Sequence, residues 1–200
     1  CGRLGYAPIS SGDDAAFADA RVSIDASAAD GGMAACALGF VSVPPLPDYT
    51  LGPFCVAKYE MKDRAGLAVS ESVGLPWVNI TRDDAIVRCR AVGAGYDLIS
   101  NAEWQTVARH IEQTPENWEG GLVGSGSVNR GHSDADPMGM LAAAADDDPC
   151  FLTNQTCGMA VWSSQRRTHR LPTGDVIWDF AGNAREWVSD TSTMSYGPDE

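Results

Sequence analysis

The sequence predicts a single α+β domain: two strand-like runs come first, two capped amphipathic helices follow, and a long aperiodic segment dense in turn residues completes the chain. Two hundred residues with 44% hydrophobic content support one sizeable core, so a second domain of comparable size is not expected. The first stretch, rich in Ala, Asp, Ser and Gly, cannot bury enough apolar surface to fold. It is assigned to a flexible tether over residues 1–35, leaving 36–200 as the folded domain.

Residues 38–43 and 54–60 alternate or cluster β-branched and aromatic side chains around a Pro-rich connection, and both are expected as strands. Thr81-Arg82-Asp83-Asp84 has capping-box form and opens a helix that places Ala85, Ile86, Cys89 and Val92 on one face. Gly93 and Gly95 end it. Ser100-Asn101-Ala102-Glu103 caps a second helix, where Trp104, Val107, Ala108 and Ile111 fall at i, i+3, i+4 and i+7. From 113 to 175 no period is sustained. That segment is expected to be ordered, because Trp118, Val123, Val128, Phe151, Val161 and Trp162 are spaced as anchors. Val176, Ile177, Trp178 and Phe180 then suit a buried strand, followed by the turn dipeptide Gly182-Asn183.

Charge excludes some partners. The formal net charge is −13, so the polyanionic surfaces of nucleic acids and anionic membranes would be repelled. No run approaches the length of apolar sequence that spans a bilayer. Cys1-Gly2 ahead of an acidic tether resembles the mature start of a bacterial lipoprotein, with lipid carried on Cys1; the alternative is a chain boundary without lipid. Setting Cys1 aside leaves Cys36, Cys55, Cys89, Cys150 and Cys157, an odd number. Cys150 with Cys157 closes a short loop and is the expected disulfide, while Cys55 is equally suited to Cys36 or to Cys89. Disulfides place the chain in an oxidising, exported setting.

The chemistry-bearing residues gather around 174–190. Asp179 and Glu186 flank the Gly182-Asn183 turn, and a turn of this kind aims carbonyls inward, so oxygens are placed to converge as a hard cation such as Ca²⁺ requires. An acidic surface turn between two core elements accounts for the same residues. The histidines, His110, His132 and His169, are too scattered for a two-histidine metal helix; His110 is expected on the helix surface and His132 in a loop, bonding its neighbours. Asp146-Asp147-Asp148 reads as a solvated turn. Arg166, Arg167 and Arg170 form the basic cluster, expected to pair with internal carboxylates. Trp104 and Trp187 are expected as core anchors, and one or two of the other tryptophans as platforms for sugar rings.

Gly182-Asn183-Ala184-Arg185-Glu186-Trp187 resembles the Gly-Asn-x-x-Glu-Trp signature of the formylglycine-generating enzyme family, also called the sulfatase-modifying-factor family. Residues 98–109 resemble that family's Leu-Pro-Thr-Glu-Ala-Glu-Trp helix, Lys58-Tyr59-Glu60-Met61 its early strand ending Tyr-Glu-Val, and residues 76–85 the approach to its first helix. The four blocks run in the right order from about Phe54 to Asp190. The resemblance implies a C-type-lectin-like fold: a small twisted antiparallel sheet, two helices and long irregular loops. It also implies a calcium loop whose ligands map to Asp179, Gly182, Ala184 and Glu186, and a second cation site to which Asn129 and Asp134, with Arg130 beside them, would contribute.

The family's oxidase activity requires a cysteine pair downstream of Gly-Asn-x-x-Glu-Trp, together with Arg-Gly-Gly-Ser-Trp and Gly-Phe-Arg segments. This chain carries none of these after Trp187, and its cysteines all lie upstream. Copper(I), which suits thiolate pairs, is therefore not expected. The expectation is a non-catalytic, surface-anchored domain that binds a protein or glycan ligand, as an adhesin or receptor would. An oxidase and a structural subunit of a surface appendage are the alternatives.

Overall fold

The computed structural model describes residues 4–6, 35–133, 137–157 and 162–191. Its elements are β1 (Leu4–Tyr6), β2 (Phe40–Val43), β3 (Phe54–Ala57), β4 (Lys62–Arg64), β5 (Leu67–Val69), α1 (Arg82–Arg90), β6 (Tyr96–Leu98), α2 (Asn101–Glu112), a 3-10 turn (Pro115–Asn117), β7 (Thr168–Arg170) and β8 (Val176–Trp178). They make a small α+β fold: a four-stranded antiparallel sheet ordered β2-β3-β1-β6, and the two hairpins β4-β5 and β7-β8.

β2 and β3 are buried on both faces, and their two-residue period decides which helix each side meets. Val41 pairs with Val56 and Val43 with Phe54, and all four enter one core cluster with Val107 and Ile111 of α2, Ile99, Leu171, Ile177 and Phe180. The intervening Ala57 faces the other way and joins Ala85 and Cys89 of α1 with Met61, Ala68 and Leu98. A third cluster sets Tyr59 and Trp178 against Ala143 and Ala144.

Both helices begin as the sequence predicts. The Thr81 side chain accepts from the Asp84 amide, and Ser100 with Glu103 forms a complete capping box. The buried face of α1 is narrower than expected: Ala85 and Cys89 are buried, while Ile86 and Val92 pack only partly. On α2, Val107 and Ile111 are buried, and Trp104 and Ala108 lie half-buried against them. His110, expected on the surface, is buried with its ring Nε2 3.0 Å from the Pro44 carbonyl oxygen, because the Pro-rich connection crosses that side of α2.

The expected strands are shorter than predicted. Gly39 precedes β2 at positive φ, where a Cβ would stand 2.4 Å from the Ser70 carbonyl oxygen, and Leu38 is fully exposed. The β4-β5 hairpin, turning through Ala65 and Gly66 at φ 54° and 86°, was not legible as strands because Lys62-Asp63-Arg64 is charged throughout and each strand is only three residues long. Leu4–Tyr6, inside the segment assigned to the tether, is the strand between β3 and β6. The unfolded reading therefore fails at those three residues, since ladder bonds depend on the backbone rather than on the composition of the surrounding run. Cys1 lies outside the described residues.

The aperiodic segment is ordered over its described part. The Trp118 indole donates to the Glu112 carbonyl at 2.8 Å, and Trp118 bridges Val128 across a turn. Asn117 donates its side-chain amide to the carbonyls of Ile111 and Arg170 and accepts from the Arg170 amide. Phe151 packs on the third cluster, whereas Val123 is exposed at the turn's tip, and Val161 lies outside the described residues. The disulfides are Cys36 with Cys55 and Cys150 with Cys157, with Cα separations of 5.6 and 5.5 Å. Cys89 is a free, buried thiol, since its place on the α1 face turns it into the core rather than toward Cys55. No helix among the described residues is long and apolar enough to cross a membrane.

Candidate functional site

The loop after β8 is held in place by buried polar contacts. Asp179, Gly182 and Asn183 take positive φ, so the backbone folds back twice within a few residues. Gly182 rests on the segment 130–132: a Cβ there would come within 2.8 Å of the His132 carbonyl oxygen, and one on Gly131 would stand 1.8 Å from that of Ala181. Only glycine allows this approach. The Asn183 amide donates to the His132 carbonyl at 2.7 Å, its Oδ1 accepts from Leu141, and its Nδ2 donates to the Leu141 carbonyl and to Glu60 Oε2. Glu60, 3% exposed, also accepts from the Ala184 amide at 3.0 Å. A carboxylate in the connection between β3 and β4, far away in sequence, thus holds the turn shut.

Asp179 is 2% exposed, and both its oxygens accept from Arg167, which is itself fully buried. The Nε to Oδ1 distance is 2.8 Å and the Nη2 to Oδ2 distance 2.6 Å, a bidentate pair. Arg167 also donates to the carbonyls of Leu141, Ala142 and Phe151, and its guanidinium stands 5.1 Å over the Trp178 ring. Calcium bound through Asp179 would share that carboxylate with a fixed positive charge. The residues present do not fit calcium at this position.

The other predicted ligands are placed differently. Gly182 and Ala184 line the turn, and Glu186 is half-buried beside them. Asn129 is buried and donates its amide to the carbonyls of Arg166 and Thr168, so it ties β7 rather than facing a cation; Asp134 lies outside the described residues. Asp147, expected as part of a solvated turn, is half-buried, accepting from the Trp178 indole and pairing with Lys58. Burial is the largest single influence on the Lys58 ammonium and pulls it down, but the hydrogen bonds and charge attraction of Asp147 and Tyr59 together outweigh it, and the net displacement is upward. Arg166 is pulled down by burial and by neighbouring Arg170.

The loop and α2 enclose a cleft of about 720 Å³. Trp104 stacks on Phe180 within it, centroids 5.0 Å apart, with Asn101, Gln105, His132 and Ser133 at its sides. A second hollow of about 490 Å³ lies between Val78-Asn79-Ile80 and Arg185-Glu186-Trp187, so Arg185 and Glu186 form the ridge between the two. Trp187, expected as a core anchor, is 44% exposed, its indole held by a 3.1 Å bond to the Ile80 carbonyl. The far end of the loop is pinned by Arg82, which donates to the carbonyls of Val188 and Ser189, and by Asp190, which accepts from the Asn101 amide.

Of the four described cysteines besides Cys89, all are paired, and burial next to Asp97 pushes the Cys89 thiol up to about 12. The described residues therefore offer no open thiolate pair. No family model, curated protein or solved structure matches the chain.

Proposed function

We propose that this chain is a non-catalytic ligand-binding domain with the C-type-lectin-like fold of the formylglycine-generating enzyme family, carried at a bacterial cell surface through a lipid on Cys1. Its ligand is a glycan, taken in the cleft between α2 and the loop 180–188. The observation that carries this reading is the cleft's make-up: the half-buried Trp104, backed by the core ring of Phe180 and flanked by the side-chain amides of Asn101 and Gln105, beside a loop braced by buried polar contacts. Apolar ring faces of sugars suit the indole of Trp104, and their hydroxyls suit amides, which both donate and accept. Loop-borne recognition on a rigid frame is a common arrangement. The two disulfides agree with an exported protein.

A glycan array followed by titration of the best ligand tests it. Gln105→Ala and Arg185→Ala, at the cleft rim, are expected to fold normally and to weaken binding roughly tenfold, about 1.4 kcal/mol. Unchanged affinity in both, or capture of peptides and no glycan, overturns the reading. The oxidase alternative calls for conversion of a cysteine in a sulfatase-type peptide to formylglycine in the presence of copper and oxygen. Mass spectrometry of the peptide is expected to show no such product.

A further inference from the structure

One buried arginine gathers oxygens from three segments of the domain. The carboxylate of Asp179 and the backbone carbonyls of Leu141, Ala142 and Phe151 surround the Arg167 guanidinium, and all accept from its nitrogens. Such a set of hard oxygens, one bidentate carboxylate with neutral carbonyls, is what a divalent cation collects. Here five N–H groups meet them instead, in the fork geometry that guanidinium presents and a spherical ion does not. The ring face of Trp178 closes the remaining side.

We infer that Arg167 takes the structural place of a metal ion, so that the loop after β8 reaches its folded form without calcium. Three segments meet at this one group. The guanidinium joins β8's end at Asp179, the segment 141–142 and the disulfide-closed turn at Phe151, while the Arg167 backbone carbonyl accepts from the Asp179 amide. A metal acting there would have to displace a tethered cation whose effective concentration is set by the chain itself. The inference stands apart from glycan binding, since its readout is folding.

Thermal melting of the full chain in chelator and in excess calcium tests it. The wild type is expected to melt at the same temperature in both; a calcium-dependent rise of roughly 5–10 °C, as a hundredfold excess over Kd would produce, overturns the inference. Arg167→Met is expected to lower the melting temperature by roughly 6–20 °C, because it leaves a buried carboxylate unpaired. The double variant Arg167→Met with Asp179→Leu, which removes both charges, is expected to recover much of that loss. A double variant no better than the sum of its singles would sink the idea of a coupled pair. Should either single variant fail to fold, the wild-type calcium comparison and the double variant still decide.

Discussion

Glu60 shows how one buried carboxylate governs a loop distant in sequence. Its two oxygens receive Asn183 Nδ2 and the Ala184 amide, and the side chain is nearly inaccessible. Replacing it with Ala strands both donors, each at a desolvation penalty of about 1–3 kcal/mol. Glu60→Ala is therefore expected to lower the urea midpoint and to speed hydrogen exchange at Ala184, whereas Glu60→Gln, which keeps one acceptor, should lose less. Equal losses in the two variants would show that the acceptor role is not what matters. Cys89 offers a pH signature. Burial, reinforced by Asp97, raises its thiol from 9.0 to about 12, so between those values the native state binds more protons than the unfolded chain. Its contribution is complete below about pH 9 and is lost as pH rises toward 12. The stability difference between wild type and Cys89→Ala, from urea unfolding at successive pH values, is expected to shift against the wild type across that window and to stay constant below it.

At the level of elements, α2 is the scaffold of the cleft, and its start is set by a local device. Ser100 accepts from the Glu103 amide while Glu103 accepts from Ser100, so two orphan donors of the first turn are satisfied. Ser100→Ala is expected to cost about 0.5–2 kcal/mol in a denaturant titration. The effect should reach ligand binding, because Asn101, Trp104 and Gln105 all leave the first turns of this helix for the cleft. This element was legible in advance, since a capping signature and a three-to-four residue apolar period are properties of neighbouring residues. β4 and β7 were not, since Lys62-Asp63-Arg64 and Thr168-His169-Arg170 carry polar side chains whose burial or exposure is fixed by distant partners, and the apolar β5, Leu67-Ala68-Val69, is too short to show a period. The buried Arg167 belongs to this class: in sequence it is one arginine of a basic cluster, and only the approach of β8 turns it inward.

For the whole molecule, the two disulfides act on different scales. The bond between Cys36 and Cys55 ties the start of the domain to the central β3 over a sequence separation of 19, whereas that between Cys150 and Cys157 closes a separation of 7. Loop entropy alone makes the longer closure worth about 1 kcal/mol more. Losing either by paired Cys→Ala substitution is expected to destabilise by roughly 2–5 kcal/mol in chemical unfolding, with the larger drop for Cys36 and Cys55. The reverse order would place the stress of the fold in the 141–157 loop instead.

Sequence by itself determined the α+β class, the two helix starts, the short disulfide loop and the turn at Gly182-Asn183, because each rests on residues close together in the chain. Tertiary structure alone decided that Cys55 joins Cys36, that Trp187 faces outward, that Leu4–Tyr6 completes the sheet and that Asp179 meets a guanidinium. These outcomes depend on which segments pack side by side. A carboxylate has the same letter whether a metal ion, an arginine or water lies opposite, and what lies opposite is a property of the fold.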